Sequence, residues 1–229
     1  MNSVEDAKKM AALRAVKHVG TGSIIGLGSG TTVAYALEEI GKRIREDRLQ
    51  VMGVPTSYQA AHLALKHNIP LTTLDRHPQL DLAIDGADQV DEALNMIKGM
   101  GGALTREKIV ASASKMNIII VDESKLTKEL GRNQPVPIEV LPFALPTAMI
   151  EFRKLGGKPV LRQAAKKLGP VVTDNGNFLV DVEFGSIDSP KGLNQALKNI
   201  PGIIETGLFS ELANIVYIGG QGTVRKLER

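Results

Sequence analysis

One pattern fills the first half of the chain: a short apolar run, a break at glycine or a hydroxyl residue, then an amphipathic stretch, and the same order again. "GSIIGLGSGTTVAYALEEIGKRI" reads as a strand, a glycine turn and a helix over 31–43. "LQVMGVPTSYQAAHLALKHN" repeats the pattern, with its polar turn at 55–57. "LDLAIDGADQV" and "MNIIIVDESK" add two apolar strands that each end abruptly in acid. Strands alternating with helices at this spacing predict a parallel sheet covered on both faces. Sheets of that class take ligands in the crevice beyond the carboxyl ends of their strands. Here those ends carry residues 29–32, Thr56 and Ser57, 85–88 and 122–125, so polar groups collect where the architecture puts its site.

The pattern changes at "NQPVPIEVLPFALP", where four prolines in twelve residues mark a linker or domain edge. Beyond it the residues predict a strand over 136–140, a helix over 147–155 and a strand over 159–162. "VVTDNGNFLVDVEF" places Asn-Gly between β-rich runs, a strong hairpin signal. A helix over 191–197 and a strand over 202–205 follow. That order resembles a split β-α-β, ferredoxin-like α+β module. The tail "NIVYIGGQGTVRKLE" returns to strand-turn-strand and is expected to rejoin the first domain. The fold class is therefore α/β: a Rossmann-like parallel-sheet domain over 1–130 plus 207–229, with a smaller ferredoxin-like domain inserted at 131–206.

Composition narrows the function. The 229 residues include 43% apolar ones, enough for a substantial core. With no cysteine, disulfides, thiolate metal sites and cysteine nucleophiles are excluded. Lys and Arg number 28 against 25 Asp and Glu, scattered rather than striped, and aromatics make up only 3%. A nucleic-acid interface wants a basic stripe and stacking platforms, so no nucleic-acid partner is expected. The N-terminal "MNSVEDAKKMAALRAVKHV" alternates charged and apolar residues at helical spacing and lacks the apolar segment of a signal peptide. No apolar run approaches the roughly 20 residues that span a bilayer. A soluble, cytoplasmic protein with no membrane partner is expected.

Three segments carry the candidate chemistry. "GLGSGTT" (26–32) sits between strand and helix; its glycines allow close approach, a helix start offers N–H groups, and Ser29, Thr31 and Thr32 add hydroxyl donors suited to phosphate. It is neither a dinucleotide fingerprint nor a P-loop, and as plain structure it is a βα turn with a threonine cap. "DGADQVD" (85–91) follows a strand, with Asp85 and Asp88 flanking Gly86 and Ala87; its alternatives are an Asx-turn or, with Asp91, a divalent-metal site for phosphate-ester chemistry. "KGMGGALTREK" (98–108) supplies Lys98, a glycine loop and Glu107. Taken alone, Lys98 reads as solvated and Glu107 as half of a helix-surface ion pair. Lys125 in "VDESK" has the same ambiguity. His18, His62, His67 and His77 show no ligand spacing, so no metal is expected.

Together, in this order, "GLGSGTT", "DGADQVD", "KGMGGALTREKIV" and "VDESK", with "TGLF" at 206–209, resemble ribose-5-phosphate isomerases of the A type over essentially the whole chain. Two positions depart from that family's usual pattern: Met100 stands where glycine is usual, and Gln89 where glutamate is. The resemblance implies interconversion of D-ribose 5-phosphate and D-ribulose 5-phosphate in the pentose phosphate pathway, without metal or organic cofactor. It implies Glu107 as general base, and Asp85, Asp88 and Lys98 at the reacting end. It implies Ser29, Gly30, Thr31 and Thr32 as the substrate loop. Gly86, Ala87, Gly99, Met100 and Gly101 join the substrate contacts, with Lys125 and an N-terminal lysine, Lys8 before Lys9. A homodimer or homotetramer is expected. The competing reading is a non-catalytic sugar-phosphate-sensing module of a regulator. Such a module could dispense with Lys98 and Glu107, both kept here, and no helix-turn-helix is expected ahead of Ser23.

Overall fold

The computed structural model describes residues 4–229; the first three residues of the N-terminal helical pattern lie outside them. In chain order the elements are α1 (Val4–Val16), β1 (Ile24–Leu27), α2 (Thr31–Glu46), β2 (Met52–Pro55), α3 (Tyr58–Lys66) and β3 (Leu82–Asp85). Two very short strands follow, β4 (Gln89–Val90) and β5 (Met96–Ile97), then α4 (Leu104–Ala113), β6 (Asn117–Asp122) and a 3₁₀ turn at Glu123–Lys125. Next come β7 (Val136–Val140), α5 (Leu145–Lys154), β8 (Lys158–Leu161), β9 (Phe178–Glu183), α6 (Pro190–Lys198) and β10 (Ile203–Thr206). The last three are β11 (Leu208–Phe209), β12 (Ile215–Gly219) and β13 (Val224–Glu228). The chain divides into two compact units: one takes the residues up to Ala87, 106–126 and 211–229, the other 88–105 and 127–210.

The first unit is built on a six-stranded sheet, ordered β13-β12-β6-β3-β1-β2, with every pairing parallel except β12 with β13. A strand covered on both faces has to be apolar throughout, and every residue of β6 is buried. On one face Ile25, Leu27, Ile84, Ile118 and Ile120 pack with Ala11 and Ala15 of α1 and Val33, Leu37 and Ile40 of α2. On the other, Val54 and Ala83 pack with Val110 of α4. That contact is tight. A Cβ on Gly26 would stand 2.4 Å from the Val110 side chain and 2.7 Å from that of Ala83, so β1 must be bare there. The C-terminal strand-turn-strand does return to this sheet, β12 lying beside β6.

The second unit holds a four-stranded antiparallel sheet, ordered β10-β7-β9-β8, with α5 and α6 in a β-α-β-β-α-β sequence, the ferredoxin-like arrangement. Val136, Ile138 and Val140 of β7 and Val180 and Val182 of β9 form its core with Ala148, Phe152 and Leu197 of the helices. Side chains alternate across a strand, so Pro137, Glu139, Leu179 and Asp181 face the other way. The Asn-Gly hairpin forms: the Thr173 N–H donates to the Asn177 carbonyl at 2.8 Å, and Gly176 supplies the positive φ of 83°. A small sheet, β11-β5-β4, belongs to the same unit. Residues 88–105 group with this unit rather than with the first, because β5 pairs with Leu208 and Phe209 and the glycine loop lies against Pro137 and Leu179.

Candidate active site

In the first unit the chain leaves β1 at Leu27 and enters α2 at Thr31. Gly30, not a threonine, takes the N-cap position at φ 108°, and no side chain caps the helix. The first-turn amides and the positive end of the helix dipole are therefore open to an anion. The loop is braced from the next strand end. Ser29 Oγ lies 2.8 Å from Thr56 Oγ1 and 2.6 Å from Ser57 Oγ, while Thr56 Oγ1 donates to the Leu27 carbonyl at 3.0 Å. A hydroxyl has one proton to give. Since the Thr56 proton goes to Leu27, Ser29 donates to Thr56 and Ser57 donates to Ser29. The Gly30 amide donates to Gln59 Oε1 at 3.0 Å.

Asp85 ends β3, buried, and its Oδ1 accepts from the amides of Ser29 at 3.2 Å and Gly86 at 2.8 Å. The approach leaves no room at Gly28, where a Cβ would meet Asp85 Oδ1 at 2.2 Å and its Cα at 2.6 Å. Gly28→Ala is therefore expected to displace Asp85 and the loop together. The expected cost is about 1–3 kcal/mol of stability, the scale of an overpacked site, with a loss of kcat/KM. Thermal unfolding and steady-state assays check it, and an unchanged protein on both counts would contradict the placement.

The N-terminal lysines separate. Lys8 Nζ pairs with Glu5 Oε1 at 2.8 Å and is largely covered, whereas Lys9 is exposed. Glu5 also accepts from the Tyr35 hydroxyl at 2.5 Å, which ties the start of α1 to the first turns of α2. The Lys8 and Tyr35 hydrogen bonds hold the Glu5 carboxyl below its usual range, and the bond to Glu5 raises the Tyr35 phenol. Lys125 closes the 3₁₀ turn after β6, half-buried, with Asp122 capping that turn through the Ser124 amide at 2.9 Å. Glu107 lies in the first turn of α4 and is only 6% exposed. A surface ion pair does not describe it.

The second unit holds Asp88 and the glycine loop. Lys98 is 3% exposed, and its ammonium stands 5.5 Å from the centroid of the Phe209 ring, a cation–π contact that steadies a charge withdrawn from water. Gly99 turns the chain at φ 107°, where a Cβ would press Leu104 at 2.9 Å. The Met100 amide donates to Asp88 Oδ2 at 2.9 Å. Arg162 Nη1 donates to the carbonyls of Gly99 at 3.1 Å and Met100 at 2.9 Å, while its other nitrogens grip Asp181, Nε at 2.8 Å from Oδ2. Asp91 turns inward on the hairpin, accepting from the amide and side chain of Asn95. No three His, Cys, Asp or Glu among the described residues could hold a metal ion. Sequence reasoning missed Gln59 and Arg162. Neither sits in a motif, and only the folded loop reveals what it holds.

The family model of ribose 5-phosphate isomerase A (phosphoriboisomerase A) matches residues 52–223. The chain belongs to that family. It is 50% identical to the Methanosarcina acetivorans ribose-5-phosphate isomerase A over 97% of this chain and 94% of the relative, and 46% identical to the human ribose-5-phosphate isomerase over 100% and 75%. Among solved structures it superposes on the Methanocaldococcus jannaschii enzyme with a TM-score of 0.96, at 45% identity over 99% and 100% of the two chains. A D-ribose-5-phosphate isomerase in complex with phospho-erythronic acid matches with a TM-score of 0.97, again at 45% identity over 99% and 100%. The two departures from the family pattern have physical readings. Met100 keeps an ordinary negative φ and its side chain is 45% exposed, so the backbone does not require glycine there. Gln89 uses both ends of its amide, accepting from the Gly131 N–H and donating to the Arg132 carbonyl, each at 2.9 Å; a carboxylate could not make the second bond.

Proposed function

We propose that this protein interconverts D-ribose 5-phosphate and D-ribulose 5-phosphate by moving one proton between C2 and C1 through an enediolate. Family membership supports the reaction, and so does the phospho-erythronic acid complex of a 45% identical neighbour. The observation that carries the residue roles is the burial of Glu107 and Lys98, two groups that solvent would otherwise claim.

In this reading Glu107 removes the C2 proton of the open-chain aldose, the C–H electrons form the C1–C2 double bond, and negative charge gathers on the C1 oxygen. Lys98 stabilises that charge, which a fixed ammonium does best where water is excluded. A proton then passes from the C2 hydroxyl to the C1 oxygen, which moves the charge to the C2 oxygen, and Glu107 returns its proton to C1 as the C2 carbonyl forms. A positioned carboxylate contributes about 10²–10⁴-fold, short of the roughly 8–23 kcal/mol that enzymes supply, so charge stabilisation and positioning through the phosphate provide the remainder. Ser29, Gly30, Thr31 and Thr32, at the open end of α2, take the phosphate with Lys8. Asp85, Gly86, Ala87, Gly99, Met100 and Gly101 contact the sugar, Lys125 adds a contact, and Asp88 moves the hydroxyl proton that opens the ring. The reading includes a homo-oligomer in the cytoplasm; among the described residues no helix is long and apolar enough to cross a membrane.

Incubation with ribose 5-phosphate in heavy water tests it. Ketose appears, and recovered ribose 5-phosphate carries deuterium at C2. Absence of ketose overturns the function, and ketose formed with no deuterium in either sugar overturns the proton-transfer route in favour of a hydride shift.

A further inference from the structure

Glu139 takes no part in the roles above, yet it is the most completely enclosed carboxylate described, at 0% exposure in the middle of β7. Its neighbours Ile138 and Val140 point into the apolar core of the second unit, and Glu139 points out of the opposite face of the sheet. There it is met by neutral donors from two distant segments. Oε1 accepts from Thr173 Oγ1 at 2.9 Å, Asn177 Nδ2 at 2.7 Å and Asn175 Nδ2 at 3.1 Å. Oε2 accepts from Thr105 Oγ1 at 2.5 Å. The Asn-Gly hairpin of the sequence therefore does more than reverse the chain, because its polar side chains turn inward and fix one oxygen of a buried acid. The other oxygen faces Thr105, with Asn175 Nδ2 reaching it more distantly at 3.4 Å. Burying a carboxylate is costly unless its lone pairs are satisfied, so an arrangement that spends four side chains on one acid calls for a reason.

Thr105 is the second residue of α4, and Glu107 follows it by two. The first turn of a helix has N–H groups with no partner inside the helix, and it frays unless something outside holds it. We propose that Glu139 is a positioning residue for the isomerase reaction: anchored by the hairpin, it pins Thr105 and thereby sets where the first turn of α4 presents the Glu107 carboxylate. A base displaced by about 1 Å loses on the order of 10²-fold, so a side chain remote from the substrate can govern the rate. The inference rests on the assignment of Glu107 as the base.

Removing Glu139 itself risks the fold, so the test is made at Thr105. Thr105→Val keeps the shape and deletes the hydroxyl; Thr105→Ser keeps the hydroxyl. Rates are taken per folded molecule, with the folded fraction read by circular dichroism at the assay temperature. Thr105→Val lowers kcat about 10- to 100-fold with KM within about twofold, and Thr105→Ser recovers most of the loss. An unchanged kcat in Thr105→Val overturns the proposal, as does a loss confined to KM or one that Thr105→Ser shares in full. Glu107→Gln, assayed alongside, separates the two readings. If Glu107→Gln is inactive and Thr105→Val is not, only the positioning role fails; if Glu107→Gln stays active, the base assignment fails first.

Discussion

Glu107→Gln yields a folded protein that still binds ribose 5-phosphate and turns it over about 10²–10⁴-fold more slowly. The amide has the size and planarity of the carboxylate, so a buried site accepts it without a cavity. What it lacks is a basic lone pair for the C2 proton. Because the change touches the transition state more than the bound sugar, kcat and kcat/KM should fall together while KM moves little. Ketose formation measures the kinetic loss, and calorimetric titration of the variant measures the retained binding. A kcat within tenfold of the parent would remove Glu107 from the role of base.

Lys98→Met is expected to lower kcat about 10²–10³-fold, or about 2.7–4 kcal/mol of transition-state stabilisation, the scale of one lost oxyanion donor. Methionine is the informative replacement. It is unbranched and reaches nearly as far, and its sulfur packs favourably against a ring such as Phe209, so that contact survives. The positive charge does not. A stability change of about 1 kcal/mol or less by denaturant unfolding, beside a large kinetic loss, isolates the electrostatic contribution. Full activity in Lys98→Met would mean that the developing oxyanion is stabilised by other groups.

The parallel sheet was legible because "IIGL", "MGVP", "LAID" and "NIIIVD" are uniform apolar runs that stop at polar turns, and the periods on either side are helical. The βαββαβ order of the second unit was legible for the same reason, with Asn-Gly marking its hairpin. The strands at Gln89–Val90 and Met96–Ile97 were not, since two residues carry no period. The pairing of Met96 and Ile97 with Phe209 and Leu208 is what moves residues 88–105 out of the first unit, and a link across more than a hundred positions leaves no local mark. Among the candidate residues, types and order were legible and burial was not. Lys98 beside three glycines and Glu107 between Arg106 and Lys108 look solvated in one dimension. Phe209, which faces Lys98, lies far along the chain, as do Glu139 and the hairpin that secures it.

The borders of the six-stranded sheet shape how this molecule can meet its own copies. Outside β2, residues 70–72 already occupy the hydrogen-bonding groups of Gly53, with its amide on the Pro70 carbonyl and its carbonyl taking the Thr72 amide. Outside β12 runs β13, whose Arg225, Lys226 and Glu228 are exposed. Charged side chains along a border strand discourage an incoming strand from docking there. Continuous β-structure running from one first unit into the next is thus disfavoured at both rims, and any self-assembly would have to draw on other surfaces, a bias that also guards a crowded solution against fibrous stacking.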